Sequence, residues 1–160
     1  MNPCQCGNLS DPRRECRCSP TQVQRYRSRL SGPLLDRIDL QIEVPRISIE
    51  QLEQKQSGES SSVIRKRVEK ARDIQRARYK SIKILTNSQL RAKNFENLCP
   101  MTAEARMLLR RAFQKLAFSM RAHDRIIKVA RTIADLSGSE IIEASHIAEA
   151  IQYRSLDRSM

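Results

Sequence analysis

At 160 residues the chain is long enough for one domain or two small ones, and 39% hydrophobic residues exclude compositional disorder. Aromatic residues at 4%, no Trp and four Gly point to a helix-rich protein cored by Leu, Ile and Ala. Thirty Lys and Arg against eighteen Asp and Glu leave +12, which suits nucleic acid, nucleotide phosphates or an acidic partner and equally suits solvated helix faces.

The first nineteen residues, "MNPCQCGNLSDPRRECRCS", show no hydrophobic period and form a loop that needs outside help to be ordered. Four of the five cysteines lie here, as Cys4-x-Cys6 and Cys16-x-Cys18. Two close pairs across a loop can give four thiolates to tetrahedral zinc, the pattern of a closed structural site in a reducing compartment. Gly7, Asp11 and Pro12 suit the reversal between the pairs. Four reduced thiols in a loop are the alternative. A four-thiolate site leaves no position open for catalysis. Cys99 stands apart and reads as packing, and His123 and His146 read as structural.

Ser19-Pro20 looks like an N-cap followed by proline at the first helical position, opening a helix through "TQVQRYRSRL" that stops at Ser31-Gly32-Pro33. In "IDLQIEV", Ile38, Leu40, Ile42 and Val44 alternate with Asp39, Gln41 and Glu43, which predicts a strand closed by Pro45. One or two helical turns from Ser48 lead into "KQSGESSS", a linker. Beyond it nearly all is helical. A long basic helix carries Val63, Arg67 or Val68, Ala71, Ile74 and Arg78 at helical spacing. A shorter helix opens at "NSQL" and ends near Cys99-Pro100. Thr102 caps a helix with Ala105, Leu108, Leu109, Ala112, Phe113 and Leu116 on one face. Ser119 caps another with Ile126, Ile127, Ala130, Ile133 and Ala134 inward and Gly138 at its end. A last helix bears Ile147, Ala148 and Ile151.

The basic helix sets Arg65, Lys66, Arg67, Lys70, Arg72, Arg76, Arg78 and Lys80 against only Glu69 and Asp73. Of these, Arg65, Lys66, Arg67, Lys70 and Arg76 are the candidates for a DNA backbone, in a non-specific and salt-sensitive mode; a solvated face is the alternative. No G-x-x-x-x-G-K-[ST] occurs, since the four glycines precede Asn, Pro, Glu and Ser. No apolar run spans a membrane and no secretory segment is evident, so the expected location is the cytoplasm.

Three blocks carry a resemblance: "MNPCQCG", "ECRCSPTQVQRYRSRLSGPLLDRIDLQIEV" and "MRAHDRIIKVARTIADLSGSEIIEASHIAEAIQYR". In order and spacing they resemble the C-terminal part of magnesium-chelatase-like AAA+ ATPases, in the ComM/YifB branch associated with DNA uptake and branch migration. The one local departure is Gln5, where the family usually has proline. The resemblance implies a mainly α chain: residues 1–47 as the tail of an αβα core with one or two strands, 48–62 as a linker, and 63–160 as an α-helical lid. The family's Walker strands would lie upstream. It further implies ATP and Mg²⁺ in the longer parent, a hexameric ring of copies, and DNA as partner. Asn2 matches the sensor-1 residue that orients the attacking water, Arg37 the arginine finger aimed at a neighbour's ATP, and Arg121 the sensor-2 arginine reaching nucleotide in its own subunit. Read without the resemblance, Asn2 is a turn residue, Arg37 a local ion pair between Asp36 and Asp39, and Arg121 a solvated charge. A free-standing zinc-stabilised nucleic-acid-binding module is the competing function. A tetrapyrrole-metallating subunit fits the cysteine loop poorly.

Overall fold

The computed structural model describes residues 1–9, 11, 13–45, 47–49, 53, 58–116 and 118–154. Among these, seven α-helices and two 3₁₀ turns appear, with one isolated parallel bridge between Met101 and Ile142 as the only strand-like pairing. The mainly helical class expected from composition is therefore what forms. No helix among the described residues is long and apolar enough to cross a membrane.

Helix α1 (Pro20–Arg27) starts at the expected place: Ser19 Oγ accepts the Gln22 N–H while the Gln22 side chain accepts the Ser19 N–H. Pro33 does not end a helix but begins one, the short α2 (Gly32–Leu35), where its missing N–H costs nothing. The segment that alternates, Ile38 to Val44, forms no strand. All four apolar side chains are exposed, Val44 to 85%, and Gln41 is the buried residue instead. A strand is held by a ladder to its neighbours, and the described residues supply no neighbouring strand. The helical turns expected from Ser48 fall mostly outside the described residues.

The basic helix is α3 (Ser61–Arg78). Its inward stripe is Ala71, Gln75 and Tyr79, while Val63 and Val68, expected to face inward, are about half exposed. The first ten residues of α3 are exposed on every side. The segment opening at "NSQL" is broken into two 3₁₀ turns, Asn87–Gln89 and Ala92–Asn94, before a four-residue α4 (Phe95–Leu98). Helix α5 (Ala103–Leu116) is capped by Thr102 Oγ1, which accepts the Ala105 N–H at 3.1 Å. Helix α6 (Met120–Ser137) is capped by Ser119 and ends on Gly138, whose φ of 76° is the left-handed conformation that glycine adopts without strain. Helix α7 (Ala144–Gln152) closes the set.

Helix α6 is central, packing against α7, α3 and the Asn87–Gln89 turn, while α5 packs on α7. Ala122, Ile126, Ile127, Ala130 and Ala134 of α6 meet Ile142, Ile147, Ala150 and Ile151, with Tyr79, Leu90, Phe95 and Cys99 extending the same core. Small alanines let neighbouring helices approach closely. Beside this core lies a polar knot. Buried Asp135 accepts from Arg78 Nη2 at 2.5 Å, Arg131 Nε at 3.1 Å and Asn87 Nδ2 at 2.8 Å, and Arg131 also donates to the carbonyls of Ser139 and Glu140. Arg78 is thus half-buried and tied into this knot, unlike the exposed Arg72, Arg76 and Lys80 beside it.

Candidate functional site

The four clustered cysteines are brought together as their spacing suggested. Their sulfurs all lie within 4.8 Å of one another, with Cys4–Cys6 at 3.3 Å and Cys16 at 3.7 Å from both. A zinc–sulfur bond of about 2.3 Å puts tetrahedral sulfurs about 3.8 Å apart, so the cluster has the size of a four-thiolate metal site. A turn makes the first half: the Gly7 N–H donates to the Cys4 carbonyl at 3.1 Å, with Gly7 at φ 81°. The reversal between the pairs is pinned where Asp11 N–H donates to the Asn8 carbonyl and Asp11 Oδ1 accepts the Arg13 N–H. Helix α1 follows directly and ties back through Arg27 Nε, which donates to the Pro3 carbonyl at 3.3 Å.

The electrostatics fit the same reading. The Asn8 N–H and then the Cys4 thiol draw Cys6 down to about 6. For Cys16 the Cys18 N–H pulls the same way, but desolvation and the Cys6 and Cys4 sulfurs push it up to about 11. Cys18 is also raised, its Cys6 N–H contact being outweighed by the neighbouring thiols and desolvation. One thiolate forms readily and then opposes the next, which is how four sulfurs behave when no cation offsets their charge. A metal ion would reverse that order by offsetting the charge of each thiolate as it forms. The cysteines are placed to hold a metal. Cys99, by contrast, is buried in the core, which pushes its thiol up to about 11.

Arg37 sits in the turn after α2, exposed, with no side-chain partner among the described residues. Its flanking aspartates are engaged elsewhere. Asp36 Oδ2 accepts from Ser119 Oγ at 2.8 Å and its Oδ1 lies 3.5 Å from Arg154 Nη2. Asp39 is paired with Arg125 of α6. The local ion pair that the sequence offered as the alternative for Arg37 does not form. Nothing in the sequence signalled these partners, because they lie more than eighty residues away along the chain.

Arg121 is exposed in the first turn of α6 and has no partner among the described residues. The Asp36–Ser119 bond brings its turn against the turn that carries Arg37. Asn2 lies with the cysteine loop, where a Cβ added to Gly7 would sit 3.5 Å from its Nδ2, and no hydrogen bond among the described residues joins it to Arg37 or Arg121. On α3, Arg67 is paired bidentately with Glu59 at 3.0 and 2.9 Å, and Arg76 is paired with Asp73. Arg65, Lys66 and Lys70 are exposed with no partner among the described residues. His146 is structural: its Nδ1 accepts the Glu143 N–H at 3.0 Å and its Nε2 lies 3.2 Å from Ser137 Oγ.

Residues 1–52 match the family described as magnesium chelatase, subunit ChlI, and residues 58–154 match magnesium chelatase, subunit ChlI C-terminal. The chain is 42% identical over 159 residues to competence protein ComM of Haemophilus influenzae, covering 99% of this chain and 30% of that protein. It is 39% identical over 159 residues to the uncharacterised protein YifB of Escherichia coli, with the same coverage. An uncharacterised protein of Mycobacterium tuberculosis is 33% identical over 153 residues, covering 96% of this chain and 30% of that protein. The chain thus spans about a third of the length of these relatives.

Proposed function

The chain belongs to the magnesium chelatase subunit ChlI family, and from that premise we propose that it is the C-terminal part of a AAA+ ATPase subunit of the ComM/YifB kind. In this reading residues 1–47 end the nucleotide-binding core, 48–62 link, and 63–160 form the lid. Subunits assemble into a ring, with ATP and Mg²⁺ held between neighbours and hydrolysis coupled to DNA remodelling in the cytoplasm. Arg37 faces the neighbouring subunit's γ-phosphate. A guanidinium suits that place because it is always charged and forks onto the phosphate oxygens as negative charge develops there. Arg121 reaches phosphate from the lid, and Asn2 orients the attacking water. Cys4, Cys6, Cys16 and Cys18 hold a structural zinc ion that orders residues 1–19 and takes no part in the chemistry.

The observation that carries this reading is the state of Arg37: solvent-exposed, between two aspartates that the lid has taken. The test splices this chain onto the remaining length of the Haemophilus relative and measures ATP hydrolysis by the resulting subunit. Arg37→Ala is expected to lower kcat at least about 10³-fold with nucleotide binding retained. Mixing those subunits with subunits defective in their phosphate-binding loop should restore activity at the mixed interfaces. Unchanged kcat in Arg37→Ala would overturn the finger assignment.

For DNA, the support is the all-round exposure of the first half of α3 with Arg65, Lys66 and Lys70 unpaired among the described residues. Arg67 and Arg76 contribute less, being neutralised by Glu59 and Asp73. Replacing Arg65, Lys66 and Lys70 by Ala should flatten the slope of log affinity against log salt by about 2–3. Strong DNA binding by the 160-residue chain alone, as a monomer and indifferent to nucleotide, would favour the free-standing zinc-stabilised module instead.

A further inference from the structure

Among the described residues, the polar links between the N-terminal region and the lid meet at one short turn. Asp36 is held by Ser119 Oγ and lies beside Arg154; Arg154 Nη1 donates to the Ile38 carbonyl at 3.0 Å; Asp39 takes Arg125; the Gln41 N–H donates to the Tyr153 carbonyl at 2.8 Å. Gln41 and Arg154 are buried and the Asp39–Arg125 pair is half open to solvent. Ser119 does double duty, since the same Oγ accepts the Ala122 N–H that opens α6. Arg37 sits within this turn as its one arginine, and Arg121 lies two residues beyond Ser119.

We propose that these contacts form a latch in which Asp36 and Asp39 are positioning residues, fixing the Arg37 turn to the α6–α7 body so that Arg37 moves with the lid. The proposal rests on the finger reading above and adds its regulation. The latch does two things. It removes from Arg37 the carboxylates at positions 36 and 39, which would otherwise neutralise it locally. It also joins the turn of Arg37 to the turn of Arg121, so that lid movement on nucleotide contact shifts the finger. The exposed Asp39–Arg125 pair is weak alone. Arg154, 1% exposed and bonded to the backbone at Ile38, is what gives the latch a fixed geometry.

Two arms test it. In the 160-residue chain, hydrogen exchange at the Gln41 amide reports the latch without any ATPase. Asp39→Arg should speed it at least tenfold while the core amides of α6 keep their protection, and adding Arg125→Asp should restore it. In the spliced full-length ring, Asp39→Arg should lower kcat at least tenfold with the KM for ATP within twofold, and the Asp39→Arg/Arg125→Asp swap should recover it. In an Arg37→Ala background the same substitutions should have no further effect, which a merely structural role would not produce. Wild-type kcat in Asp39→Arg and Asp36→Asn, in a ring that needs Arg37, would overturn the latch. Unchanged Gln41 exchange in Asp39→Arg would do so as well. Hydrolysis indifferent to Arg37→Ala would instead sink the finger reading, with the exchange arm still deciding whether the latch exists.

Discussion

From Ala71 to Arg154 the chain buries a core of its own, with alanine and isoleucine from α6 and α7 at its centre. From Met1 to Pro45 the described residues bury only Cys4 and Leu35 among apolar side chains, and leave Ile38, Leu40, Ile42 and Val44 exposed. The first region is held by apolar area removed from water, usually the largest favourable contribution to folding. The second is held by named polar attachments: a four-sulfur cluster at one end and the Asp36–Gln41 contacts with the lid at the other. Such a segment takes its conformation from what it is tied to. Its order should therefore depend on a metal ion and on the lid, whereas the lid should be nearly indifferent to it.

Metal removal breaks that comparison most visibly. Structural zinc in small thiolate sites contributes about 10–16 kcal/mol of apparent binding energy at neutral pH, far more than residues 1–19 can recover by burial. The chain is expected to bind one zinc ion, and stripping it should melt residues 1–19 while the thermal midpoint of the lid moves little. Loss of the lid transition on chelation would refute the division. Cys99, buried in the lid core and pushed up to about 11, should stay unalkylated at pH 7 while the thiols of the melted loop react. Next in size comes the lid's own knot. Asp135→Ala leaves buried Arg131 and half-buried Arg78 without their shared acceptor and should cost about 3–5 kcal/mol. At roughly 4–8 °C per kcal/mol for a domain of this size, the midpoint should fall by about 12–40 °C.

How far the sequence could be read follows the same division. Helix limits in the lid were legible because capping is local: Thr102 and Ser119 lie three residues from the N–H groups they accept, and Gly138 stands where the turn needs it. The cysteine cluster was legible because spacing alone restricts how two C-x-C pairs across a short loop can meet. Ile38 to Val44 read as a strand because alternation records which residues avoid water in a sheet, not whether that sheet is present. The stripe expected on α3 was right at Ala71, which is buried, but Val63 and Val68 lie in its exposed first ten residues and Gln75 and Tyr79 complete the inward face. Arg78 looked like its basic neighbours because Asp135 is 57 residues away. The partners of Asp36 and Asp39 were hidden for that same reason of distance along the chain.

A smaller effect separates the lid's own capping from its attachment to the N-terminal region. Thr102→Ala and Ser119→Ala each delete a side-chain cap, at about 1 kcal/mol. Only Ser119 also donates to Asp36. Measured by chemical denaturation of the lid, the two substitutions should therefore differ by no more than about 1 kcal/mol, the net worth of one further hydrogen bond. Ser119→Ala alone should speed exchange at Gln41. Equal exchange at Gln41 in both variants would mean that the cap and the Asp36 contact are not linked.

The smallest expected change is the most direct check on the N-terminal region. Val44 is 85% exposed, so Val44→Ser removes no buried area and should alter the stability of the isolated chain by less than about 0.5 kcal/mol. A Val buried in a sheet would lose far more, through transfer of its methyl groups to water and the cavity left behind. The same substitution in the spliced full-length subunit discriminates further. If partner strands there complete the ladder that the described residues lack, Val44→Ser should become costly in that setting alone. A penalty absent from the isolated chain and present in the longer one would mean that the alternation of Ile38, Leu40, Ile42 and Val44 is written for neighbours that these residues do not contain.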